Sequence, residues 1–388
     1  MLNDISSTID LFQQLYSESA RAIYFAPGRV NLIGEHIDYN GGKVLPAAIS
    51  LGIYALISPR QDRKLVLNSL NVPGTVEFNL ENEIVYDKKN LWANYPLGVA
   101  AALRQANLPL EGANILFQSN LPHGSGLSSS AAIEVLTWFM LQSEFGSSVD
   151  EREKIALQCQ KVENEFIGVH CGIMDQFAIA MGKKDSAILL DTSTLEHEYI
   201  PLELNNYCLV ILNTNKKRTL ADSKYNERRE QCEIALSLLS KKTGIQNLCE
   251  ATVSQIEKYI SEPVIRKRAL HASTENQRVL DTCAALRSHD FIAFGNLLNE
   301  SHRSLKENYE VSGHELDSIV DAAVKSPGCL GARMIGAGFG GCGLALVEKQ
   351  YLDDFSRNVK KLYAESTEYK ADLYPCTISD GVHKSTLV

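Results

Sequence analysis

At 388 residues, with 45% hydrophobic and 22% charged side chains, the chain has the composition of a soluble globular protein and enough length for a sizeable core, most simply divided over two domains. Its formal net charge of −9, without a basic stripe, argues against nucleic acid as a partner, and no apolar run is long enough to span a bilayer. Nine scattered cysteines with no Cys-x-x-Cys pair point to free thiols rather than a disulfide framework or structural zinc, and the opening Met-Leu-Asn-Asp-Ile does not read as a signal peptide, so the cytoplasm is the expected location.

Residues 4–20 carry an amphipathic helix pattern, and 21–25 read as a strand ended by Pro27 and Gly28. After a polar turn, 44–50, 53–58, 65–68 and 75–78 read as short strands of a mixed sheet, followed by a helix over 91–106 and a strand over 113–118. Helical patterns at 127–144, 150–167 and 173–181 lead to a strand at 187–190. A strand at 208–212 then precedes long helices at 218–240, 263–287 and 312–324. Strands at 332–335 and 343–347, a helix over 350–364 and a strand over 372–379 close the chain. A soft boundary near residue 192 gives two expected domains, 1–191 and 192–388, with a cleft between them.

The stretch from Leu121 to Ala132, Leu-Pro-His-Gly-Ser-Gly-Leu-Ser-Ser-Ser-Ala-Ala, feeds a glycine and serine loop into an apolar helix. Gly124 and Gly126 let a ligand approach the main chain, while Ser128, Ser129 and Ser130 supply hydroxyls and helix-capping oxygens. The helix face of Ala131, Ala132, Val135, Leu136, Phe139 and Met140 anchors an N-terminus that suits an anion such as phosphate. No lysine or arginine lies between Arg104 and Arg152, so the countercharge must come from a metal or from elsewhere in the fold. The pattern is neither a Walker loop nor a dinucleotide fingerprint, and an ordinary capped loop is the plain alternative.

Between the strand at 21–25 and an Asn-Gly turn, Arg29, Asn31, Glu35, His36 and Asp38 are too polar for a sheet core. Clustered carboxylates with an imidazole suit a polyhydroxyl ligand, since each carboxylate accepts from two sugar hydroxyls. A solvated turn accounts for residues 38–42 but not for Arg29 and Glu35, and a transition-metal site would want more histidine. Glu163 and Glu165 flank the apolar stripe of their helix on opposite sides, so periodicity does not choose between them as a metal ligand. Asp175, an acid with apolar neighbours at a helix start, reads as a helix-stabilising carboxylate or as a general base for a hydroxyl. The glycine run from Gly336 to Gly343 precedes a strand, which contradicts a dinucleotide reading and suggests a tight loop facing the cleft.

Together these segments resemble the GHMP kinases, and within them the galactokinase branch. The 28–42 segment, Gly-Arg-Val-Asn-Leu-Ile-Gly-Glu-His-Ile-Asp-Tyr-Asn-Gly-Gly, is similar to the galactokinase signature. Residues 122–132 resemble the family phosphate loop, 171–177 its catalytic-aspartate segment and 336–343 its third motif. Ile37 departs from the usual Thr, with a small expected effect on sugar contacts.

The resemblance implies an α+β fold of two domains, the first like a ribosomal-protein fold and the second ferredoxin-like, with the active site between them. It implies an ATP-dependent kinase that phosphorylates the anomeric hydroxyl of galactose, with Asp175 as base and Arg29 offsetting charge in the transition state. Ser130 and Glu163 would hold Mg²⁺, while Glu35, His36, Asp38, Gly172 and Tyr225 would meet the sugar. Gly124, Ser125, Gly126, Leu127, Ser128, Ser129 and Ser130 would wrap the phosphates of ATP, with Ser69 and Trp92 near the nucleotide. The partners so implied are galactose and Mg-ATP, with no nucleic acid and no membrane, and a monomer is the expected state. A kinase for N-acetylgalactosamine and a non-catalytic galactose sensor are the competing readings.

Overall fold

The computed structural model describes residues 5–122, 126–146, 151–169, 171–216 and 221–385. Helix α1 (Ile5–Tyr16) seats Phe12 on the outside of a sheet formed by β1 (Ala22–Asn31), β3 (Pro46–Pro59), β4 (Lys64–Ser69), β5 (Thr75–Asn79) and β6 (Ala113–Ser119), with β2 (Lys43–Val44) lying apart from it. Helices α3 (Ser129–Phe145) and α5 (Met174–Met181) cover the inner face, and α2 (Asn94–Gln105) and α4 (Arg152–Lys161) pack on them. Strands β7 (Ser186–Asp191) and β8 (His197–Pro201) join β2 in a three-stranded antiparallel sheet.

The second half opens with β9 (Tyr207–Asn213) and α6 (Ala221–Thr243), then α7 (Val253–Tyr259), α8 (Pro263–Arg287), α9 (Phe291–Ser304) and α10 (His314–Val324). Strands β10 (Cys329–Ile335) and β11 (Cys342–Glu348), helix α11 (Leu352–Ser366), then β12 (Asp372–Cys376) and β13 (His383–Ser385) complete the chain. The second large sheet has the order β10-β11-β9-β12 and is antiparallel throughout. The first has the order β13-β1-β3-β6-β4-β5, with only the β4–β6 pair parallel. Its edge strand therefore comes from the end of the chain, and β8 pairs with β7 across the boundary expected near residue 192.

Two departures from the sequence expectation position the site. Strand β1 does not end at Pro27 and Gly28 but runs on to Asn31, past a register shift between those two residues at which β3 carries the extra residues Ser50 and Leu51. Such an irregularity disrupts the ladder locally and raises the twist, and it is a place in a sheet where proline is tolerated. Opposite it, the segments expected as two short strands at 44–50 and 53–58 are one long strand, β3, because Gly52 lets the main chain pass Ala26 where a Cβ would lie 2.2 Å from the Ala26 carbonyl oxygen.

The second departure is in the helix expected over 150–167. It ends as an α-helix at Lys161 and continues as a π turn, Val162–Ile167. A π turn places an extra residue in the helical circuit and shifts the angular phase of the residues beyond it. Glu163, at the start of that turn, continues the buried stripe of Ile155, Ala156, Cys159 and Val162 and is 7% exposed, while Glu165 faces solvent beside Lys161.

The expected face of α3 is buried, and so are Glu134, Thr137 and Gln142, so this helix is enclosed nearly all round. Helix α9 was not among the expected elements; its Gly295, on the buried face, admits Gly331 of β10 at main-chain contact. All nine cysteines are free thiols. Among the described residues no helix is long and apolar enough to cross a membrane.

Candidate active site

Arg29 follows the register shift between β1 and β3 directly and turns toward α5. Its Nε and Nη2 donate to Oδ1 and Oδ2 of Asp175 at 2.8 and 3.0 Å, and its Nη1 donates to the Gly126 carbonyl at 2.9 Å. The geometry is the fork-to-fork pairing that arginine makes with a carboxylate. Gly28 makes it possible, since a Cβ there would lie 2.6 Å from Leu121 and 2.9 Å from the Leu127 carbonyl. Arg29 thus brings a cation to a glycine and serine loop that has none of its own.

Ser128 opens α3 in the left-handed region at φ 59 and donates its Oγ to Oδ2 of Asp175. It makes no capping hydrogen bond, contrary to the expectation of a capping oxygen, because a capping side chain needs an extended backbone at that position. Non-glycine residues at positive φ are uncommon and concentrate where function demands them; His36, at φ 61, is another.

Beside the pair opens a cavity of about 290 Å³. Of the sequence-selected residues, Arg29, Glu35, His36, Asp38, Gly126, Ser128, Ser129, Ser130, Gly172, Asp175 and Tyr225 line it. Leu127 is buried beneath the loop. Ser69 and Trp92 are elsewhere: Ser69 pairs with Phe117 across β4 and β6, and Trp92 packs edge-on against the same Phe117, 5.6 Å between ring centres. Gly124 and Ser125 lie outside the described residues. Ile37 points into the core, fully buried, so its difference from threonine is not presented to the cavity.

On the signature side, Glu35 Oε1 accepts the Gly336 N–H at 2.8 Å and lies 3.3 Å from Arg333 Nη2. Both ring nitrogens of His36 have protein partners, Nδ1 with the Tyr39 hydroxyl at 2.7 Å and Nε2 with the Ala337 carbonyl at 3.2 Å. Because a carbonyl only accepts, Nε2 carries the proton. Gly172 is a close-approach glycine, since a Cβ would stand 2.4 Å from Asp38 Oδ2. Tyr225 closes the wall, 5.7 Å from His36 and 5.4 Å from Tyr39 between ring centres. The third motif is the tight loop expected, with Gly336, Gly338, Gly340 and Gly341 all at positive φ, and Gly336 and Ala337 lining the cavity.

The electrostatics are those of an acid-rich pocket. Burial, then the charges of Asp175 and Glu35, push the Asp38 carboxyl up to about 7. Burial also raises Glu35, against the pull of Arg333 and Arg29, and raises Glu163, with Asp175 adding to the effect. His36 is pushed down to about 3 by burial, with repulsion from His271 adding to it, so it is neutral. Crowded carboxylates of this kind are stabilised by hydroxyl donors or a cation.

These features match known sequences. The galactokinase galactose-binding signature matches residues 10–59, the GHMP kinases N terminal domain residues 94–183 and the GHMP kinases C terminal residues 283–365. A galactokinase of Clostridium beijerinckii is 49% identical over 380 residues, covering 96% of this chain and 97% of that protein. The chain belongs to the galactokinase family. A galactokinase of Fusobacterium nucleatum is also 49% identical, over 98% of this chain and 99% of its own length. The crystal structure of Lactococcus lactis galactokinase complexed with galactose superimposes with a TM-score of 0.93 at 41% identity, covering 98% of this chain and all of that one. A mevalonate kinase at 22% identity, TM-score 0.68, shares the fold. The architecture is thus the α+β fold of the GHMP kinases, with its N- and C-terminal domains.

Galactokinases use ATP, and the residues here fit a magnesium ion accompanying it. The Ser130 hydroxyl lies near the Glu163 carboxylate and lowers its pKa against the rise from burial, and Gln176 Nε2 donates to Glu163 Oε2 at 2.7 Å. One hydroxyl and one oriented carboxylate, completed by water and phosphate oxygens, is the hard-oxygen set magnesium takes. Ser128 as a partner of Asp175, Gln176 behind Glu163, and Arg333 behind Glu35 were missed by the sequence reading. Gln176 had a signal, being next to Asp175 in the catalytic-aspartate segment; Arg333 had none.

Proposed function

We propose that the protein is a galactokinase in activity, transferring the γ-phosphoryl group of ATP to the anomeric hydroxyl of galactose. The observation that carries this is the Arg29–Asp175 pair on the wall of the cavity between the signature turn and the start of α3. A carboxylate offers roughly four lone-pair sites. Arg29 takes two and Ser128 a third, which leaves Asp175 able to accept one more proton-bearing group.

In this reading Asp175 accepts the proton of the anomeric hydroxyl. The sugar oxygen bonds to the γ-phosphorus, the bond from that phosphorus to the bridging oxygen breaks, and ADP leaves. Arg29 holds Asp175 in place and offsets negative charge on the transferring group, so catalysis is positioning and charge stabilisation. Glu35, Asp38, Gly172 and Tyr225 hold the sugar, with His36 bracing the wall through Tyr39 and Ala337. Gly124 to Ser130 wrap the phosphates, with Ser69 and Trp92 toward the rest of the nucleotide. Magnesium, held by Ser130 and Glu163, would neutralise phosphate charge. Nine free thiols suit the reducing cytoplasm.

The test is ADP release by the purified protein with ATP and Mg²⁺, comparing galactose, glucose, N-acetylgalactosamine, mevalonate and homoserine. Rapid release with galactose and none with the others is expected. Release with another acceptor alone moves the specificity, and no release with galactose still bound leaves a sensor.

A further inference from the structure

Glu35 is a carboxylate only 3% exposed, on a turn whose conformation depends on Gly34 at φ 101. A buried carboxylate must be met by a cation or by aimed donors, or it neutralises itself. Within its own segment Arg29 attracts it from farther away, with Arg333 the larger influence. What meets Oε1 comes from the other end of the chain, the Gly336 N–H at 2.8 Å and the Arg333 guanidinium at 3.3 Å.

Arg333 projects from β10 and is fully buried. Its Nη1 donates to the Leu32 carbonyl at 2.8 Å and the Asn31 carbonyl at 3.4 Å, and its Nη2 faces Glu35. Among the described residues neither its Nε nor its Nη2 has a hydrogen-bond partner, so the contact with Glu35 is an ion pair rather than a hydrogen bond. The other acid near it, Glu275, already accepts from the Gly34 N–H, the Ser301 hydroxyl and Arg278. Every hydrogen bond and ion pair Arg333 makes here is therefore to the segment that carries Arg29, Glu35 and Asp38.

We propose that Arg333 is a positioning residue for the acceptor sugar: it orients the Glu35 carboxylate and fixes the turn that presents it, from a strand formed by the opposite half of the chain. A planar guanidinium can bridge a carboxylate and two carbonyls at once, which a lysine ammonium does poorly. The inference rests on the galactokinase reading, because the ligand of Glu35 is taken to be the sugar. It assigns Arg333 to sugar recognition and leaves the nucleotide to the α3 side of the cavity.

The experiment uses the full chain. Galactose binding without nucleotide is followed by calorimetry, and KM for galactose and for Mg-ATP by ADP release, for the native protein, Arg333→Lys, Arg333→Met, Glu35→Gln and the Glu35→Gln/Arg333→Met double variant. Arg333→Met is expected to weaken galactose binding by about tenfold or more while KM for Mg-ATP stays within about twofold. Arg333→Lys should recover part of the loss. In the Glu35→Gln background, Arg333→Met should add less than about twofold, since its target is already altered. Unchanged galactose affinity in Arg333→Met, equal losses for sugar and nucleotide, or fully additive losses in the double variant overturn the inference. If Arg333→Met alone does not fold, the double variant, which leaves no unpaired charge between the two positions, is compared with Glu35→Gln. Equal galactose affinity then supports the inference, and a further loss of about tenfold overturns it. Failure of the native protein to turn over galactose would instead reject the galactokinase reading.

Discussion

Gln176 donates its side-chain Nε2 to Oε2 of Glu163 at 2.7 Å, and Gln176 is the chain neighbour of Asp175 in the first turn of α5. One short helix therefore holds both the candidate base and the amide that orients the candidate metal carboxylate. Moving α5 would disturb both together, which ties proton acceptance and cation binding to one rigid element.

Glu163→Ala should raise the Mg²⁺ concentration needed for half-maximal rate by about tenfold or more, and Gln176→Leu should do so to a smaller extent, as loss of an outer partner usually does. Glu165→Ala, on the solvent side of the π turn, should stay within about twofold of native. The check is a Mg²⁺ titration at fixed ATP together with direct Mn²⁺ binding by electron paramagnetic resonance. Equal effects at positions 163 and 165 would remove the metal assignment.

Asp175→Asn keeps the shape of the side chain but loses its charge and its capacity to take a proton. We expect kcat to fall by about a hundredfold or more with galactose affinity largely retained. Ser128→Ala removes one donor to the same carboxylate and should cost about tenfold in kcat. Steady-state kinetics with calorimetric galactose binding decides; near-native turnover by Asp175→Asn would refute the base.

Asp38 gives a pH dependence of defined sign. Its carboxyl titrates near 3.8 when unfolded and is held up to about 7 in the fold, so the folded state keeps a proton that the unfolded state has released. Its contribution to stability is full below about 3.8 and is lost as pH rises toward about 7. The gain in Tm of Asp38→Asn over native should therefore grow from pH 4 to pH 7 and then level off. A Tm difference independent of pH across that range would contradict the assignment, and sugar binding by the variant should be poor at every pH.

Glu134, on α3, has neither carboxyl oxygen partnered among the described residues, and burial, with the nearby Glu163 charge, pushes it up to about 10. The same sign applies over a wider window, stability being lost as pH rises from about 4.5 toward about 10. Glu134→Gln should raise Tm at pH 8 relative to native and do so less at pH 5. Thermal unfolding at the two pH values tests this, and an equal shift at both would show that the carboxyl is ionised in the fold.

Much of the site was legible because its residue types are dictated locally. The turn at 34–42 needs its glycines, the start of α3 needs small residues, and the polar cluster is too dense for a core, whatever the rest of the chain does. Long helical stretches were read in place, as for α8, expected over 263–287 and found as Pro263–Arg287. Two elements were not: β13 has only three residues and exists by pairing with β1, and α9 was overlooked although its buried residues recur at helical spacing.

By itself the sequence determined which chemistry was available: an arginine, a set of carboxylates and a glycine and serine loop, each in a local setting that only a few conformations satisfy. Tertiary structure decided which of them meet. Arg29 and Asp175 are 146 residues apart and meet where β1 continues past the register shift opposite β3. Glu163 rather than Glu165 turns inward on the buried stripe of its helix, and Arg333 reaches Glu35 because β10 packs against the opposite half of the chain. Spacing along a helix or strand fixes direction only over a few residues, whereas bulges, phase shifts and cross-chain contacts are set by the packing of elements on one another.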